Sequence, residues 1–183
     1  MKEFDYIKKY FRPLTHNVGR SLQDDAAVFS SKKNIDYVLS TDTLVEKVHF
    51  LGHEQPELIA KKALRVNLSD LAAMGAEPLY YNLSLSLPKG KEESFIRSFS
   101  EGLKSDQEKY NLFLIGGDLT SSISCITITI TIIGTVPKGK AIPRSGALIN
   151  DFLYVTGVLG LSEIGLKNFK SRNDEFQLAK KKY

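Results

Sequence analysis

Two stretches of the chain alternate between large apolar and small polar residues. From Leu79 to Leu87, Leu79, Tyr81, Leu83, Leu85 and Leu87 fall on one side, and Asn82, Ser84 and Ser86 on the other. From Ile123 to Val136, Ile126, Ile128, Ile130 and Ile132 oppose Thr127, Thr129 and Thr131. A period of two predicts strands with one covered face. Shorter apolar runs predict three further strands, at Ala26–Phe29, Ile35–Ser40 and Leu112–Ile115. Between them the spacing changes to that of a helix. Pro56 opens one helix that runs to about Met74, with Gly75 just past its end. Glu92 to Tyr110 carries Phe95, Ile96, Phe99 and Leu103 on one side and predicts a second. Phe4, Ile7 and Phe11 give the first eleven residues an amphipathic helical pattern rather than the unbroken apolar core of a leader.

Beyond the amino-terminal helix, the element order is ββαβαββ. It predicts an α+β fold, a mixed or antiparallel sheet with its helices on one face. Residues 1–136 form that domain, and 137–150, with Pro143-Arg144-Ser145-Gly146, form a linker. Residues 151–183 read as the first strand (Phe152–Thr156) and helix of an incomplete second domain, too little for a core of their own.

The helix opened by Pro56 contains a polar anomaly. Ile59, Ala63, Leu64, Val66, Leu68, Leu71 and Ala72 make most of its circumference apolar, yet Asn67 and Asp70 lie among them. Buried polar groups need partners, so both residues are expected to meet other polar groups.

Composition narrows the class. Hydrophobic residues make up 42% and charged residues 25% of 183 positions, which is ordinary for a folded globular chain. The formal net charge of +4 comes from scattered lysines, with no basic stripe interleaved with aromatics. That balance suits a polyanionic small ligand and argues against nucleic acid. No stretch is apolar for long enough to span a membrane. Cys125, the single cysteine, has no internal partner and reads as a small buried hydrophobe. The expected compartment is the cytoplasm.

Candidate chemistry lies in four acidic motifs: Gln23-Asp24-Asp25-Ala26-Ala27, Ser40-Thr41-Asp42-Thr43-Leu44, Asn67-Leu68-Ser69-Asp70 and Gly116-Gly117-Asp118. Each aspartate stands at an element boundary among small or hydroxylated residues. Two like charges about 4 Å apart cost roughly 4 kcal/mol at an effective dielectric near 20, so converging carboxylates require a cation. Oxygen-only ligands favour Mg²⁺ or Ca²⁺, and Mg²⁺ held by one or two carboxylates commonly accompanies phosphates. Each aspartate taken alone also has a plain structural explanation, as a helix cap or a turn residue.

Taken together and in order, QDDAA, STDTLVEKVHF, KALRVNLSDLAAMGAEP, IGGDLT, PRSGA and YVTGVLGLSEIGL resemble the amino-terminal half of the bacterial thiamine-monophosphate kinase family, within the aminoimidazole-ribonucleotide-synthetase-like superfamily. The resemblance implies ATP- and Mg²⁺-dependent phosphorylation of thiamine monophosphate to thiamine diphosphate, with several Mg²⁺ ions and ATP as co-substrate. It implies Asp25, Ser40, Thr41, Asp42, Asp70 and Asp118 at the metals, and His49 at the thiamine phosphate. Gly117, Asp118 and Arg144 would lie at the ATP. It implies no dedicated catalytic acid or base, because the acceptor phosphate is already ionised. It also implies a homodimer built by pairing sheets, and a second domain that completes the site. The chain departs from the family pattern at Gln23, where glycine is usual. The competing expectation is a non-catalytic remnant that only binds nucleotide or dimerises.

Overall fold

A computed structural model describes residues 23–24, 26–30, 34–90, 92–168 and 176–180. Two sequence expectations, the amino-terminal helix and the position of Asp25, lie outside the described residues. The chain divides into two compact units, Met1–Ser145 and Gly146–Tyr183.

Unit one holds β1 (Ala27–Ser30), β2 (Ile35–Val45), α1 (Pro56–Ala73), β3 (Glu77–Pro88), α2 (Glu92–Tyr110), β4 (Phe113–Ser122) and β5 (Thr127–Pro137). This is the expected ββαβαββ order, an α+β fold. The strands form one mixed sheet in the order β1-β2-β5-β3-β4. β1, β2, β5 and β3 pair antiparallel, and β4 lies parallel to β3. A parallel pair needs a crossover connection, and α2 provides it.

α1 packs on β2, on β5 and on α2. The even-numbered residues of β5 point into this layer, and Ile126, Ile128, Ile130 and Ile132 have no exposed surface. Each such side chain is worth roughly 1.5–3 kcal/mol of burial. Ile59, Ala63, Leu64 and Leu71 of α1 and Phe95, Phe99 and Leu103 of α2 meet them. The two helices approach closely at Gly102, where a Cβ would stand 2.4 Å from the Glu57 carbonyl oxygen. A polar bond also joins strand to helix under the second helix: the buried Tyr81 hydroxyl donates to Gln107 Oε1 at 2.7 Å.

The structure corrects four expectations. β2 does not end at Ser40 but runs on to Val45, so Asp42 lies inside a strand rather than at its boundary. β4 does not stop at Ile115 but runs on through Gly116-Gly117-Asp118 to Ser122. Its pairing with β3 resumes after a bulge at Tyr81/Asn82. Gly117 has φ 155°, and a Cβ there would lie 1.9 Å from the Leu83 carbonyl oxygen, so the neighbouring backbone itself demands glycine. At the other end, β5 begins at Thr127 rather than Ile123. Residues 123–126 form a turn closed by Ser122 Oγ donating to the Cys125 carbonyl at 2.6 Å, and Cys125 is only half-buried. Finally, Phe152–Thr156 is not a strand. No strand among the described residues of unit two offers it hydrogen-bonding partners, which an apolar run alone cannot replace. Unit two contains α3 (Leu161–Lys167) and α4 (Gln177–Lys180) and exposes Ile149, Phe152, Leu153 and Tyr154 almost fully.

α1 and α2 are also joined by a two-pronged ion pair, in which Arg65 Nε and Nη2 donate to the Asp106 carboxylate at 2.7 and 2.8 Å. Asp106 is buried while Arg65 is half-exposed. The two single deletions should therefore differ. Arg65→Ala leaves a buried carboxylate without its cation and should cost about 3–5 kcal/mol. Asp106→Ala leaves an arginine that can turn to water and should cost about 1–3 kcal/mol. Urea unfolding of the two variants measures the difference, and equal losses would contradict this account.

Candidate metal and phosphate site

Period two along β2 sorts its acidic motif onto two faces. Ser40, Asp42 and Leu44 point to the helix side, and Thr41 and Thr43 to the open side. α1 crosses behind β2, and its own period brings Asn67 and Asp70 to the same side of the helix. The two elements meet through polar contacts. Ser40 Oγ donates to Asp70 Oδ2 at 2.6 Å. Asn67 Oδ1 accepts the Asp42 backbone N–H at 3.1 Å, and Asn67 Nδ2 donates to the Ala63 carbonyl at 3.0 Å.

The result is a pair of carboxylates, Asp42 and Asp70, with a hydroxyl beside them. Burial raises the Asp70 pKa above the ordinary carboxylate range. The Ser40 hydrogen bond pulls it back, and the Asp42 charge pushes it up again. Among the described residues, no three His, Cys, Asp or Glu side chains come together in a way that would hold a metal ion unaided. The donor set still suits Mg²⁺, which takes oxygen ligands, commonly one or two carboxylates, and keeps its remaining positions for water or phosphate.

The other candidates lie elsewhere. Thr41 Oγ1 donates to Thr131 Oγ1 at 2.9 Å on the open face, so its hydroxyl points away from Asp70. Asp118 pairs in register with Ser84 of β3, which puts it on that same open face. Three strand steps separate β2 from β4, roughly 14 Å at about 4.8 Å each. Within one chain, Asp118 therefore stands apart from Asp42 and Asp70. Gly117 precedes it on β4, held against β3. The Arg144 backbone N–H donates to Asp24 Oδ1 at 3.1 Å, which ties the segment after β5 to the first acidic motif.

His49 lies on the ordered loop after β2. Its Nδ1 accepts the Val45 N–H at 3.0 Å, and its carbonyl accepts from Lys62 Nζ of α1 at 2.6 Å. Burial lowers the pKa of Lys62, and the nearby Glu54 charge opposes that shift. Glu54 accepts the Leu51 and Gly52 N–H groups, both at 2.7 Å. Buried Glu46 accepts the Ile126 N–H at 2.9 Å and anchors the start of the loop. Lys62, Glu54 and Glu46 were not singled out from the sequence, where each is one charged residue among many. Asn67 did carry a signal, as an amide in an apolar helix.

The model for the AIR synthase related protein, N-terminal domain, matches residues 23–136. The chain belongs to the AIR synthase related family. It is 45% identical over 169 residues to a thiamine-monophosphate kinase of Haemophilus influenzae, a match covering 91% of this chain and 51% of that one. It is 41% identical over 169 residues to the corresponding kinase of Bacillus subtilis, covering 91% and 52%. Among solved structures, AaThiL complexed with AMPPCP and TMP superposes with a TM-score of 0.85 at 32% identity, covering 96% of this chain and 54% of that one. Thiamine monophosphate kinase from Aquifex aeolicus superposes with a TM-score of 0.75 at 30% identity, covering 97% and 58%. The chain thus spans about half the length of the curated relatives it matches. No helix among the described residues is long and apolar enough to cross a membrane.

The electrostatics of Asp70 make a prediction with a definite sign. A carboxyl whose folded pKa lies above its unfolded value favours the fold while protonated, and that contribution is lost as pH rises through the folded pKa. Asp70→Asn should therefore stabilise the metal-free chain at neutral pH. The advantage should vanish as pH falls below the ordinary carboxylate range. Asp70 is partly exposed, so the gain should be small, on the order of 0.5 kcal/mol. Urea unfolding in a chelator across a pH series measures it, and a variant less stable than its parent at pH 7 would contradict the sign.

Proposed function

We propose that this chain is the amino-terminal half of a kinase that transfers the γ-phosphate of ATP to thiamine monophosphate, giving thiamine diphosphate with Mg²⁺. The observation that carries the reading is the juxtaposition of Asp42 and Asp70, two carboxylates from separate elements joined through Ser40 and Asn67. The names of the relatives, and the AMPPCP and TMP in one similar structure, support the substrates. In this reading residues 1–136 are the ATP- and Mg²⁺-binding and dimerisation domain, and 137–150 are the linker. Residues 151–183 begin the second domain, and the apolar residues they expose are the surface such a domain would cover. The protein works in the cytoplasm.

Asp25, Ser40, Thr41, Asp42 and Asp70 are proposed ligands; Ser40, Asp42 and Asp70 meet on the helix side, and Thr41 would contribute its backbone, since its hydroxyl is engaged on the open face. Asp118 serves a separate ion on the nucleotide side, together with Gly117 and Arg144. Bound Mg²⁺ supplies neutralisation of phosphate charge and orientation of its oxygens. The protein's own part is placement. Ser40 orients one Asp70 oxygen, Asn67 fixes the Asp42 backbone, and His49 meets the thiamine phosphate from a loop braced by Lys62 and Glu54. Phosphoryl transfer of this type asks for positioning and charge stabilisation rather than covalent help. The acceptor oxygen is ionised at neutral pH, so no residue is assigned as general base.

We also infer a homodimer through the open face of the sheet. Asn82, Ser84, Ser86, Thr127, Thr129 and Thr131 line its centre without a charge, Glu77 lies toward one end opposite Thr135, and Asp118 stands at its β4 edge. Thr41 with Thr131 and Thr43 with Thr129 satisfy one another's hydroxyls within the sheet, so this face can be covered at low polar cost.

Two outcomes test these readings. Mg²⁺ should raise the melting temperature, by an amount equivalent to about 2.7 kcal/mol at one hundred times its dissociation constant. Asp70→Asn should remove that shift, and so a full shift in Asp70→Asn would sink the metal site. When the chain is joined to a carboxy-terminal half like that of its relatives, Asp42→Asn should lower thiamine diphosphate formation at least 100-fold. Undiminished turnover would remove Asp42 from the mechanism. For the dimer, Ser84→Lys with Thr129→Lys should yield a folded monomer by sedimentation. A parent chain that sediments as a monomer at micromolar concentration would rule that interface out.

A further inference from the structure

We propose that Asn67 is a positioning residue, the side chain that sets the placement of the Asp42 carboxylate relative to Asp70. The role rests on the reading of those two aspartates as Mg²⁺ ligands. Asn67 has no exposed surface, and the other buried residues of its helix, Ile59, Ala60, Ala63, Leu64 and Leu71, are all apolar. Both ends of its amide are used. Oδ1 accepts the Asp42 N–H at 3.1 Å, and Nδ2 donates to the Ala63 carbonyl one turn back along α1 at 3.0 Å.

The position of Asp42 along β2 explains why that bond is needed. Among the described residues, β1 pairs with β2 at Asp36, Tyr37, Val38 and Leu39, so Asp42 lies past the end of that ladder. An N–H there has lost its strand neighbour, and a buried N–H without an acceptor is costly. Asn67 stands in for the missing strand, but from a helix, and three residues further along that helix is Asp70. One amide therefore couples the backbone that carries one carboxylate to the helix that carries the other. The Ser40 to Asp70 hydrogen bond at 2.6 Å is the second tether, two residues away along β2.

The amide chemistry is hard to replace. Aspartate at 67 would keep an acceptor for Asp42 but lose the donor to Ala63, and it would add a third charge beside two carboxylates. Leucine would fill a similar volume and leave the Asp42 N–H without a partner. Mg²⁺ requires oxygen ligands at 2.0–2.1 Å in near-octahedral geometry, so a shifted Asp42 should be felt in metal affinity before it is felt elsewhere.

The test uses the chain itself, with Mg²⁺ as the probe, by isothermal titration. Asn67→Leu should raise the Mg²⁺ dissociation constant at least tenfold. Arg65→Ala, on the same helix and destabilising by its lost ion pair, should leave that constant within twofold. Unchanged affinity in folded Asn67→Leu overturns the positioning role alone. Absence of Mg²⁺ binding in the unmodified chain overturns the metal reading and this role with it. If Asn67→Leu does not fold, the unmodified chain decides by NMR. The Asp42 N–H should exchange slowly, and it and the Asn67 side-chain amide should shift together as Mg²⁺ is added. A fast-exchanging Asp42 N–H, or an Asn67 amide unmoved by saturating Mg²⁺, overturns the proposal.

Discussion

The last strand of unit one to be reached along the chain is its innermost. β5 lies between β2 and β3 and pairs with both over almost its whole length. Until Thr127–Pro137 is in place, β2 and β3 have no common neighbour, and α1 has no isoleucine row to rest on. This constraint orders everything else. The long connection through α1 must leave a strand-wide gap between β2 and β3, and the helix bridges that gap by packing across it. The same packing brings Asn67 and Asp70 over β2. The carboxylate pair is thus a product of long-range pairing and not of local sequence. Such non-local contacts form late and slowly, because loop-closure entropy is lost before the pairing compensates it.

The two faces of the sheet divide the chemistry. The helix side holds the apolar core and, at its β2 margin, the polar insertion of Ser40, Asp42, Asn67 and Asp70. The open side holds hydroxyls, with paired threonines, Asp118 at the β4 edge and Glu77 opposite Thr135. Within β2 the divide falls between adjacent residues, since Ser40 reaches Asp70 while Thr41 reaches Thr131. A motif read as one unit along the chain therefore serves two environments.

Much of this was legible in the sequence. The helical periods gave α2 its observed ends and α1 to within a residue, and alternation gave the covered faces of β3 and β5. The demand that Asp70 and Asn67 find partners followed from their apolar surroundings. What was not legible depends on neighbours. Nothing local in Gly116-Gly117-Asp118 predicts a strand, because glycine and aspartate disfavour one and only β3 alongside imposes it. Ile123 and the run from Phe152 to Thr156 look like strand residues but lack a ladder to join. The distance between Asp118 and Asp42 depends on strand order, and strand order is set by the insertion of β5. The separate faces of Ser40 and Thr41 were implied by the period of two, yet motif reading ran across it.

The hydrogen bond from Val45 N–H to His49 Nδ1 has a consequence for what that imidazole can offer. A neutral ring carries one proton, and a nitrogen that accepts from the backbone cannot be the one that holds it. The proton of neutral His49 is therefore on Nε2. The loop fixes the tautomer as well as the position of the ring, and the exposed edge is a hydrogen-bond donor before any ligand arrives. Such an edge suits oxygen acceptors such as those of a phosphate, and it has no lone pair to give a metal ion. The backbone of one turn thereby limits the neutral ring to donating from its exposed edge.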